Sequence, residues 1–180
     1  MTTSFVRIPS LLLLCSTLLA ACSTSPEPTA SQADVSPTPP TPKAVQPAIV
    51  ATIDNPGFEN KWEAWDEIPA SGDFTAISDD SNSGNHSAKI TEDGGRFEQT
   101  VAVQPNTDYE VSAFIQGSGE IGIELPAETI STKPEGAGGA WLPLTLSFNT
   151  GDATEVVIYG AYKSGEARID DFSIAPIDES

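Results

Sequence analysis

An all-β fold, an antiparallel β-sandwich of the jelly-roll kind, is predicted for this chain on three observations. The stretch from Ile49 to Ser180 is rich in Val, Ile, Thr, Phe, Tyr and Gly. No segment of it holds a helical period, and short runs of alternating apolar and polar residues recur between turn signals. Ahead of this domain, residues 49–180, stand a predicted cleaved signal peptide, 1–21, and a disordered linker, 22–48.

The N-terminal segment carries Arg7 and no acid, and Leu11 to Leu19 forms an apolar core of signal-peptide length. That core is too short for a bilayer span, which takes about 20 apolar residues. Small residues, Ala20 and Ala21, then suit a signal peptidase. The run Leu19-Ala20-Ala21-Cys22 resembles the bacterial lipobox. The resemblance implies a diacylated Cys22 as first residue of an exported protein, anchored by acyl chains to a bacterial membrane. Ser23 in the next position is the arrangement sorted to the outer membrane and cell surface. Each buried methylene adds about 0.8 kcal/mol, so two or more chains hold durably. An ordinary secretory signal with a chance cysteine is the plainer alternative.

Of the two cysteines, Cys15 leaves with the signal peptide and Cys22 is the expected lipid carrier. No thiol is then left for a disulfide or a Cys-based metal or redox site. Residues 22–48 are nearly all Ser, Thr, Pro, Ala and Gln, with a proline-dense stretch from Ser36 to Pro42. Such a segment buries too little surface to offset its ordering entropy, and its prolines favour extended polyproline II, so a semi-stiff stalk is expected.

Within the domain, Asp108 to Gln116 sets the pattern: Tyr109, Val111, Ala113 and Ile115 share one face, and Ser112, Phe114 and Gln116 the other. Comparable strands are predicted at 87–91, 97–103, 120–125, 142–148, 155–162 and 167–174. They are separated by Gln104-Pro105-Asn106, Gly117-Ser118-Gly119, Thr150-Gly151-Asp152 and Ser164-Gly165. Seven or more strands at roughly ten-residue spacing make a sandwich.

A family resemblance rests on motifs in order: Asn55-Pro56-Gly57-Phe58-Glu59, Trp65, Ser83 to Ala88, Gln99, Pro105 to Tyr109, Trp141 before Leu144, and Ile169-Asp170-Asp171-Phe172. Together they resemble the carbohydrate-binding modules grouped as families four and nine, over almost the whole domain. The resemblance implies a galactose-binding-like jelly roll and sugar binding, though that fold hosts other functions as well. It also implies a structural calcium joining the chain ends, with ligands at Gly57 (carbonyl), Glu59, Asn82 and Asn85 (carbonyls) and Asp170. Calcium takes six to eight hard oxygen donors, which carboxylates and carbonyls supply. The alternative is that Glu59 and Asp170 are solvated or capping acids.

Aromatic faces stack on pyranose C–H groups while polar side chains read hydroxyls. Trp65 and Trp141 are expected to plug the core ends. The expected carbohydrate-binding set is Trp62, which sits in a polar loop, with Phe114, Tyr159, Lys89, Gln99 and Ser112 on one sheet face. Arg96 or Lys163 at its rim would suit an acidic polysaccharide, or would be ordinary solubilising charge.

The formal net charge of −18 makes nucleic acid an unsuitable partner. A neutral polysaccharide or oligosaccharide fits the acidic surface more easily than a polyanion. With one histidine, His86, no nucleophile elbow and no phosphate loop, a hydrolytic triad is excluded unless His86 serves, and a loop histidine beside a strand more often bonds locally, so the chain is expected not to be an enzyme. Carboxylate pairs able to cleave glycosides stay conceivable. The expectation is a non-catalytic, membrane-anchored glycan binder accessory to enzymes encoded elsewhere. The alternative is a structural or protein-binding envelope lipoprotein or adhesin with no sugar ligand.

Overall fold

The computed structural model describes residues 48–136 and 138–177; the signal peptide, Cys22 and the linker up to residue 47 lie outside the described residues. Eight strands are found among them and no helix: β1 (Asp66–Ile68), β2 (Thr75–Ser78), β3 (Ser87–Ile90), β4 (Arg96–Ala102), β5 (Asp108–Glu124), β6 (Thr129–Thr132), β7 (Leu142–Asn149) and β8 (Glu155–Pro176). All pairings are antiparallel.

Two long strands carry the architecture. The first part of β8 pairs with β4 and with the second part of β5, and the sheet extends through β1 on one edge and β6 on the other. The second part of β8 pairs with β3 and the first part of β5, extending through β2 and β7. These two halves, joined through β5 and β8, are the two layers of the sandwich.

The sequence predicts two strands each where β5 and β8 run through, because Gly117-Ser118-Gly119 and Ser164-Gly165 read as turns. They lie opposite one another instead: Gly117 pairs with Ala167 and Gly119 with Tyr162, so Lys163 to Glu166 bulges out against Ser118. A bulge bends a strand without ending it. Gly117 sits at φ +95°, where a Cβ would also drive into the Glu166 carbonyl. Strands β1, β2 and β6, of three or four residues at sheet edges, are additional to the prediction.

The alternation on β5 is as expected, with Tyr109, Val111, Ala113 and Ile115 buried and Phe114 half-buried on the outside. Beside them in the same layer are Leu144, Leu146 and Phe148 of β7, and facing them across the core are Phe97 and Val101 of β4 and Val156 and Ile158 of β8. At one end, the rings of Phe58, Trp65, Phe97 and Phe172 meet with centroids 5.0 to 6.3 Å apart. Edge-to-face and tilted ring contacts of this sort add about 0.5–1.5 kcal/mol each beyond burial. Trp65 plugs the core as expected; Trp141 is half-buried and stands outside the buried cluster.

Candidate functional site

The loop before β1 is organised by Asn55. Its amide donates to the Lys61 and Glu63 carbonyls at 2.8 and 3.0 Å, its Oδ1 accepts from Asn60 N–H at 3.1 Å, and its own carbonyl accepts from the Trp65 indole at 3.0 Å. This turn presents Gly57 and Glu59 to the loop before β3. Glu59 Oε1 accepts the Asn85 and His86 amides at 2.8 and 3.0 Å, which hold its carboxyl below the usual range, and Oε2 accepts from Asn85 Nδ2 at 3.1 Å. Asp170 grips the same loop from the other side, Oδ2 accepting Asn82 and Ser83 N–H at 2.8 and 3.2 Å.

Asp170 is fully buried, and burial is the chief cause of a pKa pushed up to about 6, with Asp171 alongside adding to the rise. A Cβ on Gly57 would come within 3.6 Å of Asp170 Oδ1 and 3.3 Å of Asp171 Oδ1, so two carboxylate oxygens converge over a bare backbone. Hard oxygens around an underneutralised buried carboxylate fit calcium in donor chemistry. Yet Asn82 and Asn85 meet these acids through N–H groups, and no set of three acidic, His or Cys side chains converges among the described residues. Five expected ligands are thus gathered around one loop, and the capping role of Glu59 and Asp170 is what their contacts display.

The six expected sugar-contacting residues do not share a surface. Gln99 faces inward between Phe97 and Val101 and is 7% exposed. Its Oε1 accepts Asp54 N–H at 2.8 Å, and its Nε2 donates to the Asp54 and Ala64 carbonyls at 3.0 and 2.9 Å. It pins the N-terminal segment to β4, so its expected place on the outer face is corrected. Trp62 is half-buried, its ring 5.8 Å from Phe58 and 5.7 Å from Phe97, and so belongs largely to the aromatic cluster.

Lys89, Ser112 and Phe114 do lie together on the exterior of the half containing β3 and β7. There Lys89 is paired to Glu166 at 2.9 Å, and the Ser112 and Ser173 hydroxyls share a 2.8 Å hydrogen bond. Tyr159 is on the exterior of the other half, in register with Glu98 and Gly122. It is 4% exposed, because the Arg96 guanidinium lies 4.0 Å from its ring centroid.

The first exterior carries a charged network through Arg168, which pairs with Glu166 at 3.1 Å and Asp80 at 3.7 Å, and that second exterior carries one of its own. Arg96, placed by the sequence at a rim, crosses its centre and reaches Glu98 at 2.7 Å and Glu124 at 2.6 Å; these carboxylates raise its pKa against the opposing effect of burial. Lys163 pairs with Glu120 at 2.9 Å, and Ser131 donates to the same carboxylate at 3.2 Å. Beneath Tyr159 lies Gly122: a Cβ there would fall 2.6 Å from the ring Cε1 and closer still to its far end. Two hollows open along the face, one of about 420 Å³ between Thr52, Asp54, Asp66 and β4, the other of about 250 Å³ beside Glu124 and Val157, and both are lined by Thr100. The sequence names Tyr159 but gives no sign of this groove, which three strands distant along the chain assemble.

The described residues thus form a bent two-layer jelly roll with acidic side chains gathered on the loop before β3 and one outer face lined with carboxylates, an arginine and a tyrosine. A family profile described as carbohydrate binding domain matches residues 50–162. The chain belongs to that family, the grouping of families four and nine. It is 34% identical over 128 residues to Exochitinase 1 of Streptomyces olivaceoviridis, covering 67% of this chain and 21% of the relative. The chain thus spans about a fifth of that protein's length. Among solved structures, TmCBM61 in complex with β-1,4-galactotriose superposes with a TM-score of 0.52 at 18% identity, over 69% of this chain and 97% of that one. The enzymatically active domain of bacteriophage CBA120 tailspike protein 4 gives 0.57 at 12% identity, over 69% and 21%. At such identities the two solved structures speak for the fold.

Proposed function

We infer that this chain is a non-catalytic, glycan-capturing lipoprotein, and that its domain takes a polysaccharide or oligosaccharide on the exterior of β1, β4, β8, β5 and β6. The observation that carries this reading is the pair of hollows that share Thr100, one lined by Asp66 and the other by Glu124, in a member of a carbohydrate-binding family. Asp66, Glu98 and Glu124 accept hydrogen bonds from sugar hydroxyls, and Thr100 and Ser131 do both jobs. Five strands side by side give a face about 19 Å across, the length of a short oligosaccharide. Of the residues expected from sequence, Tyr159 belongs to this reading.

The exochitinase relative puts chitin-type sugars first among those to try. The test is native affinity electrophoresis of the full chain through gels holding glycol chitin, cellulose derivatives, xylan, β-glucan, alginate or pectin. Selective retardation by one polymer, lost in a Thr100→Trp variant that melts as wild type does, is the expected result. No retardation by any of them would transfer the assignment to an envelope scaffold or adhesin.

Anchoring through Cys22 at the outer membrane and cell surface is part of the same proposal, supported by the lipobox resemblance. Incorporation of labelled palmitate that persists in Cys22→Ser refutes it. A structural calcium held by Gly57, Glu59, Asn82, Asn85 and Asp170 is proposed on the donor chemistry described above. When bound it would neutralise Asp170 and tie the chain ends; Glu59 and Asp170 meanwhile hold the loop by accepting its amides.

A further inference from the structure

We propose that Arg96 is a latch over Tyr159: the guanidinium occupies the outward face of the ring and must swing aside before a sugar can stack there. The proposal rests on the glycan reading of this face and deepens it. Its geometry is sandwich-like. The inner side of the Tyr159 ring lies against bare backbone at Gly122, and its outer side is covered by Arg96 at 4.0 Å. What remains is 4% exposed, so the ring as it stands offers a ligand almost nothing.

Two carboxylates on different strands keep the latch shut. Arg96 starts on β4 beside Ala161, passes over Tyr159 and meets Glu124 of β5 at 2.6 Å, while Glu98 stands 2.7 Å from Nη2. The closed form is imperfect. Nε is buried with no hydrogen-bond partner, and Nη2, though close to Glu98, lies outside hydrogen-bonding geometry. Unsatisfied donors weigh against the closed state, and the paired side chains are 20%, 27% and 40% exposed, within reach of water and salt. Exposed ion pairs and a cation–π contact are individually modest, so opening is disfavoured by roughly tenfold rather than thousands-fold.

An uncharged glycan has no electrostatic reason to bind better in salt. If binding must first break the Arg96 pairs, salt that screens them strengthens it, by about two- to threefold between dilute and half-molar sodium chloride. The latch therefore gives neutral-sugar binding a rising salt dependence.

The test uses the full chain with two readouts. Nitration by tetranitromethane, mapped by mass spectrometry, reports access to Tyr159, with buried Tyr109 as internal reference. Affinity electrophoresis in the retarding neutral polymer reports binding. Expected results are slow Tyr159 nitration in wild type, several-fold faster nitration and roughly tenfold tighter binding in Arg96→Ala, and loss of the salt effect. Glu124→Gln, which leaves Arg96 in place, moves both readouts the same way to a smaller extent. Fast nitration of Tyr159 in wild type overturns the latch, as does lost binding in Arg96→Ala with Tyr159 accessible, since Arg96 would then contact sugar itself. If no variant binds glycan, the glycan reading falls while nitration alone still decides whether the latch exists.

Discussion

Replacing Gln99 with Leu separates two roles for one side chain. The substitution keeps side-chain volume close to constant, so it opens little cavity. It removes three hydrogen bonds and leaves behind the Asp54 N–H and the Asp54 and Ala64 carbonyls, which Gln99 alone joins to β4 at 2.8, 3.0 and 2.9 Å. An unsatisfied buried group costs about 1–3 kcal/mol. These groups border the 420 Å³ hollow, so water re-solvates part of them and the low end applies, giving a total of about 2–4 kcal/mol. That is a large fraction of a stability of roughly 5–15 kcal/mol. For a domain of this size it lowers Tm by about 8–15 °C, measured by calorimetry on the full chain. Glycan retention by the molecules still folded at low temperature should fall only as far as the 420 Å³ hollow, which Asp54, Ala64 and Gln99 help to line, is reshaped. A Gln99→Leu protein that melts within 2 °C or so of wild type yet loses retention would refute the argument, because Gln99 would then be a ligand contact and not a clamp.

Other perturbations follow the same logic. Gly160→Ala places a methyl 2.7 Å from Ile169 Cδ1 and against the Phe97 ring, and overpacking there destabilises by about 1–3 kcal/mol, whereas Gly139→Ala, with open space around it, leaves Tm unchanged. Lys89→Ala and Phe114→Ala, on the exterior opposite the proposed groove, leave glycan retention as it is in the same gels. Chelation with EDTA lowers Tm if calcium is bound, by an amount equivalent to about 2.7 kcal/mol when calcium had been held at a hundred times its Kd; an unchanged Tm removes the metal. Asn55→Ala strips the loop before β1 of three side-chain hydrogen bonds and destabilises the domain by a net of about 2–4 kcal/mol, read as a lower Tm by the same calorimetry.

Alternation made the core strands legible, since period-two burial is written directly in runs such as Tyr109 to Ile115. The same rule places Gln99 with Phe97 and Val101, on the inward face and away from the sheet face expected of it. Strands β1, β2 and β6 are too short and too polar to carry a periodic signal, and pairing with a neighbour is what makes them strands. The two glycine-containing bends read as reversals in sequence because local chemistry cannot tell a turn from a bulge; only the partner opposite decides. For the site, phase identifies which residues point outward but not to which of two exteriors. Phase alone therefore groups Lys89, Ser112 and Phe114 with Tyr159, from which the sandwich separates them.

Because β5 and β8 pass without interruption through both layers, each layer is hydrogen-bonded to the same two strands. Neither layer can then melt while the other persists: losing one strips half the partners from the strands that hold the second. Unfolding should be all-or-none, and amide protons at Val111 and Ile123, in different layers of β5, should exchange with the same global free energy.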